Sequence, residues 1–117
     1  MHIDPETAVP VSGIPVADVV TRANVQHAAW ELVRSGKTVT ARVILPLAEL
    51  IATQQVVNPA RVAEHEARLR AIGKGATFPP LVLPWDGDKF LIDGHHRMQA
   101  RHNLGLEDAS VDVLIGE

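Results

Sequence analysis

Phe90-Leu91-Ile92-Asp93-Gly94-His95-His96-Arg97 is the stretch on which the fold turns. An apolar run ends at a glycine, and Met98 to Leu104 then reads as a short helix. A strand that passes through glycine into a helix start gathers unsatisfied backbone N–H groups and a positive dipole end at one point. Such a corner is an anion site, and this one also carries a guanidinium and two imidazoles.

Working backward, Trp85-Asp86-Gly87-Asp88-Lys89 centres on Asp-Gly, the strongest short hairpin signal. Phe90 to Ile92 therefore pairs antiparallel with Leu81 to Leu83, whose approach is stiffened by Pro79-Pro80. Asn58-Pro59 is a cap followed by proline at the first helical position. The helix from Ala60 to Ile72 carries Val62, Leu69 and Ile72 as its apolar stripe and closes at Gly73 and Gly75. Val39 to Leu45 is β-branched with partial alternation and reads as a strand ended by Pro46. Leu47 to Ile51 is a helical turn or loop. Ala17 to Ser35 is helical, with Asp18 as cap, Gly36 as stop, and Val19, Ala23, Trp30 and Val33 near one face. Residues 1–16, with three prolines, read as an irregular arm. Working forward, Gly105 stops the last helix and Val111 to Ile115 is a final strand. Helix, strand, helix, hairpin, helix, strand is the order of a compact α+β domain with a small mixed sheet and flanking helices.

Composition narrows the function. The 117 residues are 46% hydrophobic and 21% charged, as in an ordinary globular domain. Only 3% are aromatic, so aliphatic residues must build the core. There is no cysteine, which excludes disulfides, thiolate metal sites and a cysteine nucleophile, and fits a cytoplasmic protein. No window approaches the roughly 20 apolar residues of a membrane span. A formal charge of −3 argues against a protein devoted to holding duplex DNA.

From Ala41 to Ile115 the chain resembles the ParB/sulfiredoxin superfamily. The ordered features are Val43-Ile44-Leu45-Pro46-Leu47-Ala48-Glu49-Leu50, Asn58-Pro59-Ala60-Arg61, a helix and glycine, Phe78-Pro79-Pro80-Leu81-Val82-Leu83, and Phe90 through Arg97. A helix ending in Leu104-Gly105-Leu106 closes the set. Partition proteins of this superfamily carry Gly-Glu-Arg-Arg, matched only at Gly94 and Arg97, and contact the phosphates of CTP there. Sulfiredoxins carry Gly-Cys-His-Arg, matched at Gly94, His96 and Arg97, with His95 where their reactive cysteine stands. Sulfinic acid repair is thereby excluded. Members similar to the free serine kinases carry Asp-Gly-His-His-Arg, matched in full by Asp93 to Arg97. The resemblance implies a ParB/sulfiredoxin-like domain over 39–117, preceded by an arm and helix over 1–38. The expectation is a stand-alone catalytic or ligand-binding module, without the helix-turn-helix reader of the partition proteins.

The resemblance implies nucleotide phosphates on Gly94, His95, His96 and Arg97, with Arg61 and Arg101 extending the basic face. Arg97 suits bidentate recognition; otherwise it pairs with Asp93 or Glu64. His96 is a phosphate donor or a packed histidine, and His95 is a phosphate donor, a general base or solvent-facing. Asp93 is a helix cap, a catalytic base or a Mg2+ ligand. Glu64 or Glu66 is a catalytic glutamate or part of a solvated face. His95 and His102 stand about two turns apart, roughly 10 Å along a helix, too far to share one zinc ion. Trp30 packs on the sheet or on a second copy, and Trp85 anchors its loop. The leading expectation is a nucleotide-binding enzyme using ATP with Mg2+ for phosphotransfer or hydrolysis. The alternatives are a ParB-like nuclease or DNA-associated module, and a non-enzymatic interaction module that docks or dimerises through the N-terminal helix.

Overall fold

Asp86 and Gly87 both hold positive φ, 50° and 83°, and join β5 (Leu81–Trp85) to β6 (Asp88–Asp93) as an antiparallel hairpin. Two consecutive left-handed residues form the turn whose twist matches that of the flanking strands. The computed structural model describes residues 8–36, 38–73 and 79–116. Pro5, Lys37, Gly75 and Phe78 of the sequence reading lie outside them.

The hairpin is the centre of a five-stranded mixed sheet. With β2 at Thr38–Pro46, β3 at Leu50–Ala52 and β7 at Asp108–Gly116, the order is β2-β7-β5-β6-β3. β2 runs antiparallel to β7 over nine residue pairs, while β7 with β5 and β6 with β3 are parallel. β1 (Val9–Pro10) and β4 (Val56–Val57) form a separate antiparallel pair. From Ala8 onward the arm is pinned by this pair and by a bridge at Val16, and is irregular between them. Leu47–Glu49 is a 3-10 turn, as expected, but it leads directly into β3. The segment around Val16 lies beside β3: Ala17 N–H donates to Ala52 O, and Ala52 N–H to Pro15 O. Three strands of two or three residues went unread because they are too short to show a period.

Alternation along the strands separates two cores. Val82, Leu91 and Val111 face one side with α2 (Pro59–Ile72) and α3 (His95–Asn103), through Val62, Leu69, Met98 and Ala100. Leu83, Phe90, Ile92 and Leu114 face the other, where α1 (Val19–Ser35) lays Val25 and Ala29 on them. Asp18 caps α1 by accepting the Thr21 N–H at 2.8 Å, and Gly36 ends it in the left-handed conformation. The expected apolar face of α1 is corrected: Val19, Ala23, Trp30 and Val33 are exposed, and Val25, Ala29, Ala28 and Leu32 meet the sheet. Several alanines and valines leave more than one apolar stripe, and only docking chooses between them. On α2 the Asn58 cap and Pro59 stand as expected, but Ile72 is 73% exposed at the frayed end.

β6 passes into α3 through Gly94, at φ 97° and ψ 25°. A Cβ there would lie 2.9 Å from Pro80 Cβ and 3.0 Å from Pro80 Cα. Glycine is required twice, for the left-handed backbone and for the contact with Pro80. Gly94→Ala is expected to cost about 2–3 kcal/mol. The control Gly105→Ala, at φ 77° with nothing within 4 Å, is expected to cost about 1 kcal/mol. Urea denaturation midpoints compare the two; an equal or smaller loss at Gly94 would mean that Pro80 yields.

Candidate functional site

Gly94 sets where everything after it points. Helix α3 has no side-chain cap, and its first intrahelical bond runs from Met98 N–H to Gly94 O at 2.9 Å. The His95, His96 and Arg97 amides thus precede the ladder, at the positive end of the helix. Asp93 is not the cap: its Oδ1 accepts the Gly94 N–H at 2.9 Å, which keeps the carboxylate at the turn. The Asp93 side chain is 61% exposed, with Oδ2 4.0 Å from Arg97 Nη2. Arg97 is half-buried and also donates from Nη1 to Pro79 O at 3.4 Å.

Helix α2 faces this corner with a basic flank. Arg61, His65 and Arg68 stand at i, i+4 and i+7, which places them along one side. Burial holds His65 below the usual imidazole range, and Arg68, Arg97, Arg61 and His96 push it further down. His96 is lowered in the same way by burial, then by Arg61 and Arg97, with Asp93 opposing. Each of these histidines feels Arg61 and Arg97, so two helices converge on one electropositive space. His65 Nδ1 is buried there with no hydrogen-bond partner among the described residues. His96 Nε2 accepts the Asn58 N–H at 3.0 Å, which leaves the proton on Nδ1.

Two sequence expectations are corrected. His95 is 2% exposed and is neither a cleft base nor a phosphate donor: its Nε2 accepts the Thr53 N–H at 3.0 Å. Burial pushes its pKa down to about 4, so it is a neutral anchor. Arg101 does not extend the basic face: it is 4% exposed beside Ile44, Asp108 and Ser110, with Asp108 as its counter-charge. Four residues after Arg97 on so short a helix, it is carried under the sheet edge rather than into the cleft. Glu64 is exposed on α2, and Glu66 accepts from Asn103 Nδ2 at 2.9 Å, which ties α2 to α3. The structure thus brings Arg61, His96, Arg97, Asp93 and Gly94 together and adds His65 and Arg68. The i, i+4, i+7 spacing of these two with Arg61 was the available signal.

Also unread from the sequence was the polar support of the turn. Thr53 Oγ1 donates to Leu91 O at 2.6 Å and accepts from Gln26 Nε2 at 2.6 Å. Gln26 donates as well to Ile92 O at 3.0 Å, and its Oε1 accepts Trp30 Nε1–H at 2.7 Å. Trp30 packs partly by that bond and stays 39% exposed.

Among the described residues, no three His, Asp or Glu side chains form a group able to hold a metal by themselves. None of the described helices is long and apolar enough to cross a membrane. No protein-family model matches the chain, and no curated protein matches it. Among solved structures it is similar to sulfiredoxin from Arabidopsis thaliana, with TM-score 0.54 and 27% identity, covering 62% of this chain and 83% of that one.

The His95 anchor gives a pH prediction. Its folded pKa lies near 4 against 6.5 for the unfolded chain, so only the unfolded chain takes up this proton in between. Stability from this group is full above about pH 6.5 and is lost as pH falls toward 4, by at most about 3 kcal/mol. His95→Gln, whose amide oxygen can accept from Thr53 without titrating, is expected to flatten that part of the melting-temperature profile.

Proposed function

The chain carries the sulfiredoxin-like fold of the ParB/sulfiredoxin superfamily, and on that premise we propose that its α2–α3 corner binds the phosphates of a nucleotide. The observation that supports this most is the shared field of Arg61, His65, Arg68, His96 and Arg97 at the start of α3. Arginines from two helices beside a helix N-terminus make the positive field that an anion would answer. A polyphosphate does so, and the Arg97 guanidinium supplies the planar fork that suits it. Asp93, the carboxylate at the same turn, would be repelled by bare phosphate. That repulsion is relieved when a divalent cation lies between them.

The donor set fits Mg2+, which takes one or two carboxylates and completes its shell with phosphate oxygens and water. Asp93 would hold it, exposed and fixed by the Gly94 N–H. When bound, the ion would offset charge developing on the transferring phosphoryl group. This chain's own residues then orient and neutralise: Arg61 and Arg97 hold the phosphates, while the His96 Nδ1–H and the amides at the start of α3 complete the cradle. Such positioning and charge stabilisation are most of what phosphoryl transfer or nucleotide hydrolysis needs. ATP is the nucleotide we favour, with water or a small hydroxyl compound as acceptor. Without cysteine, the chain cannot perform a thiol-dependent reaction at the His95 position.

Arg97→Ala is expected to weaken ATP·Mg2+ binding at least about tenfold in calorimetric titration, the worth of a charge-assisted hydrogen bond. Its melting temperature should stay near that of the parent. Wild-type affinity in this variant would remove the assignment. Asp93→Asn should bind ATP without Mg2+ at least as well as the parent and lose the gain that Mg2+ brings. Sulfate keeps its charge below the usual imidazole range, where burial and the neighbouring arginines leave His65 to titrate. Its affinity should rise as the pH falls, because an anion stabilises the protonated form of His65.

A further inference from the structure

We propose that helix α1 is a working part of this phosphate corner, with Gln26 as the positioning residue that sets the turn from β6 into α3. The proposal rests on the phosphate reading above and assigns to α1 a role beyond covering the sheet.

The turn is held from both sides of Asp93-Gly94, and both holds lead to α1. Upstream, Gln26 Nε2 donates to the carbonyl of Ile92 at 3.0 Å, the residue immediately before Asp93. Downstream, His95 is held by the Thr53 N–H, and the Thr53 hydroxyl receives the other Gln26 proton at 2.6 Å. Gln26 is itself oriented by Trp30 one helical turn on, whose indole N–H fills its amide oxygen. Every hydrogen-bonding atom of that amide is committed, and all its donors end on the turn or on the residue that pins the turn.

Docking α1 does not need this arrangement. Val25, Ala29, Ala28 and Leu32 already bury its apolar face against Leu83, Phe90, Ile92 and Leu114. A leucine at position 26 would add apolar surface to that contact, but it would leave the buried Ile92 carbonyl without its donor. The amide is directional where burial is not, and in a partly dry interior its bonds hold both angle and distance. Phosphate recognition depends on such support, because a misplacement of about 1 Å can cost orders of magnitude. The first turn of α3 presents its amides only while Ile92 and His95 keep their places. Trp30 is 39% exposed, so the outer end of this chain of bonds lies at the surface of α1.

The test separates positioning from stability with two α1 variants. Gln26→Leu keeps the apolar face and removes both donors; Val25→Ala keeps the donors and removes buried surface. Gln26→Leu is expected to lower ATP·Mg2+ affinity about tenfold or more, and to lower the melting temperature too because the Ile92 carbonyl loses its donor. Val25→Ala is expected to lower the melting temperature clearly and leave affinity unchanged. Gln26→Glu, which sets a carboxylate oxygen against the Ile92 carbonyl in place of the amide donor, should lose affinity as Gln26→Leu does and melt lower still. Wild-type affinity in Gln26→Leu, or affinity that follows melting temperature across all three variants, would overturn the proposal. A nitrogen-15 spectrum of Gly94 and of the His95 ring is read alongside without nucleotide. Gln26→Leu should shift both, and unmoved resonances also overturn it. If the parent protein fails to bind ATP·Mg2+ at all, the phosphate reading falls. The resonances then decide alone whether α1 sets the turn.

Discussion

The contact between Gly94 and Pro80 leaves the chain no alternative at the point where its sheet meets its chemistry. With φ at 97° and no room for a side chain, the backbone leaves β6 in one direction only, and α3 must begin at His95. Pro80 is held in turn by the sheet, since its carbonyl accepts the Asp112 N–H from β7 at 2.8 Å. The register of the central strands is thus carried into the start of α3. Alternation along the strands makes the same hairpin serve two cores, so a shift of one residue would exchange the side chains of the two and misfit both.

Around this turn the histidines divide into two kinds by burial and partner. His95 is buried with its acceptor nitrogen used by Thr53, and it stays neutral well below the usual imidazole range. His96 and His65 are only partly buried and are depressed in addition by arginines from two helices. The first kind holds the backbone; the second faces an electropositive space in a chain whose net charge is −3. Local concentration of charge, rather than overall balance, sets the electrostatics of the corner.

Much of this was legible in the residues. Asp18, Gly36, Asn58-Pro59 and Asp86-Gly87 act through the backbone of their own neighbourhood, and each stands where the sequence places it. The adjacent residues Asp93 to Arg97 mark the corner for the same reason. What failed were statements about direction. Alanines and valines gave α1 more than one apolar stripe, and the sheet accepted the one containing Val25 and Ala29. Arg101 and Arg97 share a short helix, yet one reaches the corner and the other is buried beside Asp108.

By itself, then, the order of residues determined the α+β class, the hairpin, the helix ends and the strand-to-helix turn at Gly94, because turns and caps are settled within a few residues. Tertiary structure alone decided that His95 turns inward, that Arg61, His65 and Arg68 face His96 and Arg97, and that Gln26 reaches the turn across 66 residues of sequence. These are matters of which surfaces meet when two helices and a sheet close on each other. No local rule of propensity or spacing contains that information.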